Sequence, residues 1–175
     1  MEWYVLQVMT GKERAVCTAL KKAGFTARAP SEIITIRRGG KEVPEEKLLF
    51  PSYVCTLIDY SANIFHAINK LPNVIRFLGM EQGTPAHLGE DDCDWIAFLS
   101  GIEDEPIPLS TVEFDSHGTP HILSGALLQF SSNHTIKIDR RQRRAKVTIR
   151  LLGEQRHITM GIVPTGNKEA QHESL

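Results

Sequence analysis

The chain has 175 residues, 41% of them apolar and 23% charged, with a formal net charge of -1. That length allows one domain or two small ones, and the apolar share excludes a wholly disordered chain. The balance of 20 basic against 21 acidic side chains excludes a uniformly basic nucleic-acid binder.

No apolar run is long enough to span a bilayer, and the opening MEWYVLQVMTGKER lacks the basic and long apolar regions of a secretory signal. A cytoplasmic protein without membrane contact is expected. Charge is unevenly spread along the chain. Residues 1–76 carry 11 basic and 7 acidic side chains, residues 77–136 carry 10 acidic and no Lys or Arg, and residues 137–175 carry 9 basic and 4 acidic. Such segregation points to a boundary inside the acidic stretch, with separate basic surfaces on either side. Cys17, Cys55 and Cys93 have no metal-ligand spacing and are odd in number, so buried thiols are expected rather than a disulfide framework.

In chain order, residues 3–9 (WYVLQVM) are rich in aromatic and β-branched side chains and predict a buried strand, with Trp3 in the core. Gly11 breaks it. Over 12–23, Val16, Ala19, Leu20 and Ala23 recur at helical spacing, and Gly24 supplies a stop. Residues 33–37 and 41–43 predict a hairpin about Gly39-Gly40. A strand follows at 53–58. Ser61 then caps a helix with the apolar face Ile64, Phe65, Ile68 and Leu71, ended by Pro72. Next come a strand at 74–78 and a helix at 90–100. The first turn of that helix holds Glu90, Asp91 and Asp92, where the helix dipole favours negative charge. Its apolar stripe is Trp95, Ile96 and Leu99. This order predicts an α+β domain, an antiparallel sheet with flanking helices.

The run GIEDEPIPLS at 101–110 has two prolines, a charge cluster and no helical period, and reads as a linker. Beyond it, residues 122–130 predict a strand. From 135 onward the alternation is clean: Ile136 and Ile138 against Lys137 and Asp139, then Ala145, Val147, Ile149 and Leu151 against Lys146, Thr148 and Arg150, then Ile158, Met160 and Ile162. These short strands predict a small all-β barrel. The turn within it is Arg140-Arg141-Gln142-Arg143-Arg144. With Lys137, Lys146 and Arg150 it gathers seven cations at one end and on one face of a sheet. Such a cluster can neutralise phosphates and release their counterions; a solvated basic turn is the other reading of the same residues.

Enzymatic constellations are thin. There is no P-loop spacing and no HExxH. His117 and His121 are four apart, but Gly118 and Pro120 break the helical face that a metal pair would need. Cys17 lies mid-helix without an evident His partner. No enzyme, catalytic residue, metal or cofactor is expected.

Four segments together resemble the NusG family of transcription elongation factors, which join an N-terminal NGN domain to a C-terminal KOW domain. They are WYVLQV with GKE at 11–13, LFPSYV at 49–54, LPNVIRFLG at 71–79 and KIDRRQRRAKVTIRLLG at 137–153. The basic last segment is most similar to the specialised antiterminator paralogues of the LoaP type. The resemblance implies an NGN domain over 1–100, an acidic, Pro-containing linker over 101–117, an SH3-like KOW barrel over 118–165 and a flexible tail over 166–175. It implies a monomer that binds the clamp helices of the largest RNA polymerase subunit. Carried over, that apolar patch falls on Tyr4, Gln7, Phe50, Pro51, Tyr53 and Phe77. Some members also touch non-template DNA at the start of the first helix, here Thr10, Lys12 and Arg14. The expected function is processive antitermination. Nascent RNA, such as a hairpin, is expected to be held by Lys137, Arg140, Arg141, Arg143, Arg144, Lys146 and Arg150. The alternative is a coupling adaptor whose KOW domain binds a ribosomal or termination-factor protein. Two departures bear on this. Ser52 stands where the family usually has glycine, which alters backbone freedom there. The stretch QFSSNH, 129–134, stands where members carry a longer, glycine-rich loop, which weakens the adaptor reading.

Overall fold

The computed structural model describes residues 1–101, 103–130, 134–151 and 153–166. In chain order the elements are β1 (Glu2–Val8), α1 (Glu13–Lys22), β2 (Thr26–Arg28), β3 (Ser31–Arg38), β4 (Lys41–Leu48), β5 (Tyr53–Ile58), α2 (Ala62–Asn69) and β6 (Val74–Phe77). There follow β7 (Met80–Glu81), β8 (Thr84–Pro85), α3 (Glu90–Ser100), β9 (Ser110–Phe114), β10 (Pro120–Ser124), α4 (Leu127–Phe130), β11 (Ile136–Asp139), β12 (Arg144–Leu151) and β13 (Glu154–Thr165). They form two compact units. One holds Met1–Ser31 with Leu48–Pro106; the other holds Glu32–Lys47 with the chain from Ile107 onward.

The first unit is α+β, as expected. Its sheet has the order β2-β5-β1-β6, antiparallel throughout. Strand alternation sends Tyr4, Leu6 and Val8 to one face and Val5 to the other. The first face packs with Val16, Cys17 and Leu20 of α1, Ile68 of α2 and Phe77 of β6. The second packs Val5 and Cys55 against Leu88 and Ile96, with Trp3, Phe50 and Tyr53 around them. Ser61 caps α2, its hydroxyl accepting from Ile64 N at 3.3 Å.

The second unit is built on a five-stranded sheet of order β10-β9-β13-β12-β11. It fits the expected C-terminal barrel, because the long strand β13 changes partner along its length. Glu154–Gly161 of β13 pair antiparallel with β12, while Ile162–Thr165 pair parallel with β9. The expected alternation holds: Ala145, Val147, Ile149, Ile158, Met160 and Ile162 are buried, and Lys137, Lys146 and Arg150 are exposed.

Three expectations from sequence differ from the structure. Residues 122–130 are not one strand. β10 ends at Ser124 and the short helix α4 follows, because Gly125 takes a left-handed φ of 93° that breaks the ladder. The segment expected as a linker is built into both units. Asp104 anchors Ala29 in the first, and in the second Ile107 is buried and β9 lies between β10 and β13. The continuous domain 1–100 is also interrupted. The hairpin β3–β4, turned by Gly39 and Gly40 at φ 57° and 77°, satisfies its backbone in the second unit. Ile33 N donates to Ile107 O at 2.8 Å, and the Glu32 carboxylate accepts from Gly161 N at 2.8 Å. Gly161 is required there, since a Cβ would collide with the Ile33 carbonyl and the Leu109 side chain. Ser131–Asn133, from the expected short loop, and 167–175, from the expected tail, lie outside the described residues.

Candidate functional site

In the first unit, the six residues of the expected polymerase patch divide between the two faces of the sheet. Tyr4 and Phe77 are 5% and 1% exposed. They stack edge-on at 6.1 Å within the face that α1 and α2 cover. Phe50 and Tyr53 are half-buried on the opposite face. Pro51 is exposed between them. Gln7 pairs across the ladder with Tyr53 on one side and Arg76 on the other, and its Oε1 accepts from Arg76 Nε at 2.8 Å. Gln7, Phe50, Pro51 and Tyr53 therefore lie together; Tyr4 and Phe77 do not join them.

The start of α1 is tied to the turn before β5. Ser52 holds a left-handed φ of 71°, the conformation that glycine takes without strain. Two contacts hold it there. Its N–H donates to the Glu13 carboxylate at 2.7 Å, and its hydroxyl meets Thr10 Oγ1 at 2.6 Å. Burial acts to raise the pKa of Glu13, but the hydrogen bonds from Ser52 and neighbouring backbone N–H groups outweigh it and hold the carboxyl below its ordinary value. Among the expected DNA contacts, Thr10 is thus engaged with Ser52. Arg14 pairs with the buried Asp104 at 2.5 Å and donates to Ser31 Oγ at 2.8 Å. Lys12 is exposed.

The seven cations of the second unit separate into two groups. Lys137 and Lys146 sit directly opposite each other on β11 and β12, and Arg150 lies four residues further along β12 on the same outward face. All three are exposed. Like charges directly opposite destabilise a sheet. The turn arginines are drawn towards protein acceptors instead. Arg140 donates to Gly166 O at 3.0 Å and lies over the Phe114 ring, 4.9 Å from its centroid. Arg143 pairs with Glu42 of the β3–β4 hairpin, and Arg144 donates to Thr35 O at 3.0 Å. Arg141 is exposed at the tip. The turn itself is shaped by Asp139 Oδ1, which accepts from Gln142 N at 2.8 Å, and by Arg143 at φ 54°. An open cleft of about 920 Å³ lies between hairpin and turn, lined by Thr35, Arg37, Glu42, Arg140, Arg141 and Arg143 among others.

Sequence reasoning missed Glu42, Thr35, Arg37 and Asp104. Glu42, Thr35 and Asp104 are remote in sequence from the residues they meet, and Arg37 from the turn with which it lines the cleft, so spacing carries no signal for them. Nucleophilic chemistry gains no support. Cys17 and Cys55 are buried, which pushes their thiols up to about 11 and about 12. Among the described residues no group of three or more His, Cys, Asp and Glu is placed to hold a metal, and no helix is long and apolar enough to cross a membrane.

Residues 1–97 match the family described as NusG, transcription termination factor. The chain is 29% identical over 140 residues to the transcription termination/antitermination protein NusG of Campylobacter jejuni, covering 75% of this chain and 77% of that one. It is 26% identical over 163 residues to the protein of the same name from Helicobacter pylori, covering 87% and 90%. A solved structure titled for the domain interaction in Thermotoga maritima NusG aligns over 92% of this chain and 93% of that one, at 17% identity and a TM-score of 0.49. With more than half of its length matched by the family and its relatives similar across most of the rest, the chain belongs to the NusG family of transcription termination and antitermination factors.

Proposed function

We propose that the chain is an antitermination factor that rides on RNA polymerase and holds nascent RNA. The first unit docks on the clamp helices of the largest polymerase subunit through Phe50, Pro51, Tyr53 and Gln7, with Tyr4 and Phe77 as the buried support beneath. Aromatic anchors beside an exposed proline suit a protein interface. Lys12, at the start of α1, is the residue best placed to meet a phosphate of non-template DNA.

The second unit holds RNA. The observation that carries this reading is the exposed, directly opposed pair Lys137 and Lys146, extended by Arg150 on the same face. Such a pair costs stability in the free sheet and gains it when a polyanion lies across the face. RNA held there tethers the factor and raises its effective concentration at the polymerase.

Filter binding of the full chain to a pool of hairpin and single-stranded RNAs, across a salt series, tests the reading. Tight, salt-dependent binding to a subset of hairpins is expected. Weak binding that is equal for every RNA would remove it. A second reading is a coupling adaptor with a protein partner, favoured by Leu123 and Leu128, which are 52% and 47% exposed near one edge of the five-stranded sheet. A pulldown with and without nuclease separates the two, since only a protein-mediated complex survives digestion.

A further inference from the structure

The cleft between the β3–β4 hairpin and the β11–β12 turn is not accounted for by the outward lysine row. Four arginines line it, Arg37 from the hairpin and Arg140, Arg141 and Arg143 from the turn, against one carboxylate, Glu42. Arg37 and Arg141 are exposed. Arg143 is strained. It holds φ 54°, a conformation that costs an ordinary residue about 1 kcal/mol, in a turn where glycine or asparagine would be relaxed. A long cation at a strained position points to work for its guanidinium, and that guanidinium is occupied by the Glu42 carboxylate. Carboxylate and phosphate offer an arginine the same paired acceptor geometry. The cleft is also continuous with the row. The ladder runs from the pair Lys137–Lys146 through Ile138–Ala145 to Asp139–Arg144 and then into the turn, a distance of about 10 Å.

We propose that this cleft is a phosphate-binding site for the RNA backbone, built jointly by Arg37 of the hairpin and Arg140 and Arg141 of the turn, in which Glu42 holds Arg143 until a phosphate displaces it. This rests on the RNA reading above and extends it. It adds a hairpin residue, far from the basic turn in sequence, to the nucleic-acid surface. It also gives Glu42 a restraining role: the carboxylate competes with RNA for Arg143 and sets a threshold for binding.

The test is RNA binding by the full chain, across a salt series, to mixed-sequence RNA hairpins and to a single-stranded RNA of equal length. Four single substitutions are compared. Arg37→Ala and Glu42→Ala act in the cleft. Arg38→Ala and Glu45→Ala remove the same charges from an exposed pair on the same hairpin that does not line the cleft. Arg37→Ala is expected to weaken binding about three- to tenfold and to lower the slope of log K against log salt by about 0.7–0.9, the share of one phosphate, with Arg38→Ala changing both less. Glu42→Ala is expected to tighten binding about threefold, Glu45→Ala to leave it near wild type, and Arg143→Ala to abolish the gain in the double variant. Equal effects of Arg37→Ala and Arg38→Ala, or of Glu42→Ala and Glu45→Ala, would overturn the cleft. If these pairs behave alike while Lys137→Ala with Lys146→Ala still removes binding, the RNA reading stands and only the cleft falls. If the wild-type chain shows no salt-dependent binding to either RNA, both fall together.

Discussion

The apolar patch of the first unit and the basic cluster of the second each divide into two groups, for different reasons. In the patch the divider is strand geometry. Tyr4 and Phe77 belong to the face that α1 and α2 cover, while Gln7, Phe50 and Tyr53 belong to the other. In the cluster the divider is pairing with remote residues. Lys137, Lys146 and Arg150 stay outward and exposed, whereas Arg143 and Arg144 are taken up by Glu42 and the Thr35 carbonyl. Alternation is a local rule that can be applied to sequence with care. An ion pair between residues about 100 positions apart leaves no local trace.

The largest effect is expected from cutting the chain. A fragment that starts at 118, where the barrel was expected to begin, loses β9, which lies between β10 and β13 and carries the buried Val112 and Phe114. It is expected not to fold, as read by circular dichroism, whereas the full chain gives a cooperative melt. A folded fragment would show that the second unit needs neither β9 nor the β3–β4 hairpin.

Next in size is the division of the patch. Phe77→Ala empties a fully buried site and is expected to cost about 3–5 kcal/mol in denaturant unfolding. Pro51→Ala, at an exposed position, is expected to change stability by less than about 0.5 kcal/mol while weakening polymerase binding. Equal stability losses at the two positions would erase the distinction between support and surface.

Glu32 tests the hairpin's place in the second unit through pH. Burial raises its pKa from 4.5 to about 7, with the Gly161 N–H and the charges of Arg144 and Lys47 opposing the rise. A carboxyl raised in this way binds its proton more tightly in the folded chain than in the unfolded one. Its contribution is therefore full below about pH 4.5 and is lost as pH rises through about 7. Glu32→Gln, which keeps the acceptor for Gly161 N and carries no charge, is expected to raise stability at pH 8 by at most about 3 kcal/mol and to flatten the fall between pH 5 and 7. An unchanged pH profile would place the carboxyl in contact with water.

The smallest effect belongs to the outward row. Lys137→Thr relieves the like-charge pair with Lys146 and is expected to stabilise the free protein by about 0.2–0.5 kcal/mol in thermal melts while weakening RNA binding. A loss of stability would mean that the pair is not repulsive.

Much of the fold was legible because it rests on local rules. The strand 53–58 agrees residue for residue with β5, and the expected helices at 12–23 and 90–100 agree with α1 and α3 within two residues. The Gly39-Gly40 turn, the Ser61 cap and the alternation of β12 and β13 are of the same kind. What was not legible is where long-range partners go. The hairpin β3–β4 is legible as a hairpin, but its membership of the second unit depends on Glu32 meeting Gly161, 129 positions away. β9 was hidden because Ser110–Phe114 directly follows a proline-containing, acidic run and pairs with β13 in parallel. The departure at Ser52 implies a change in backbone freedom. The structure gives its means: a left-handed serine held by Glu13 and Thr10.

In the proposed reading the outward row holds RNA, while Arg144 holds the hairpin. The most direct measurement compares the triple variant Lys137→Ala, Lys146→Ala, Arg150→Ala with the single variant Arg144→Ala, in RNA binding across a salt series and in thermal melts. The triple variant is expected to lose about 2–3 units of salt slope at an unchanged or slightly higher melting temperature. Arg144→Ala should melt lower and keep its slope. A triple variant that binds RNA with the wild-type affinity and slope would show that the outward row does not hold RNA.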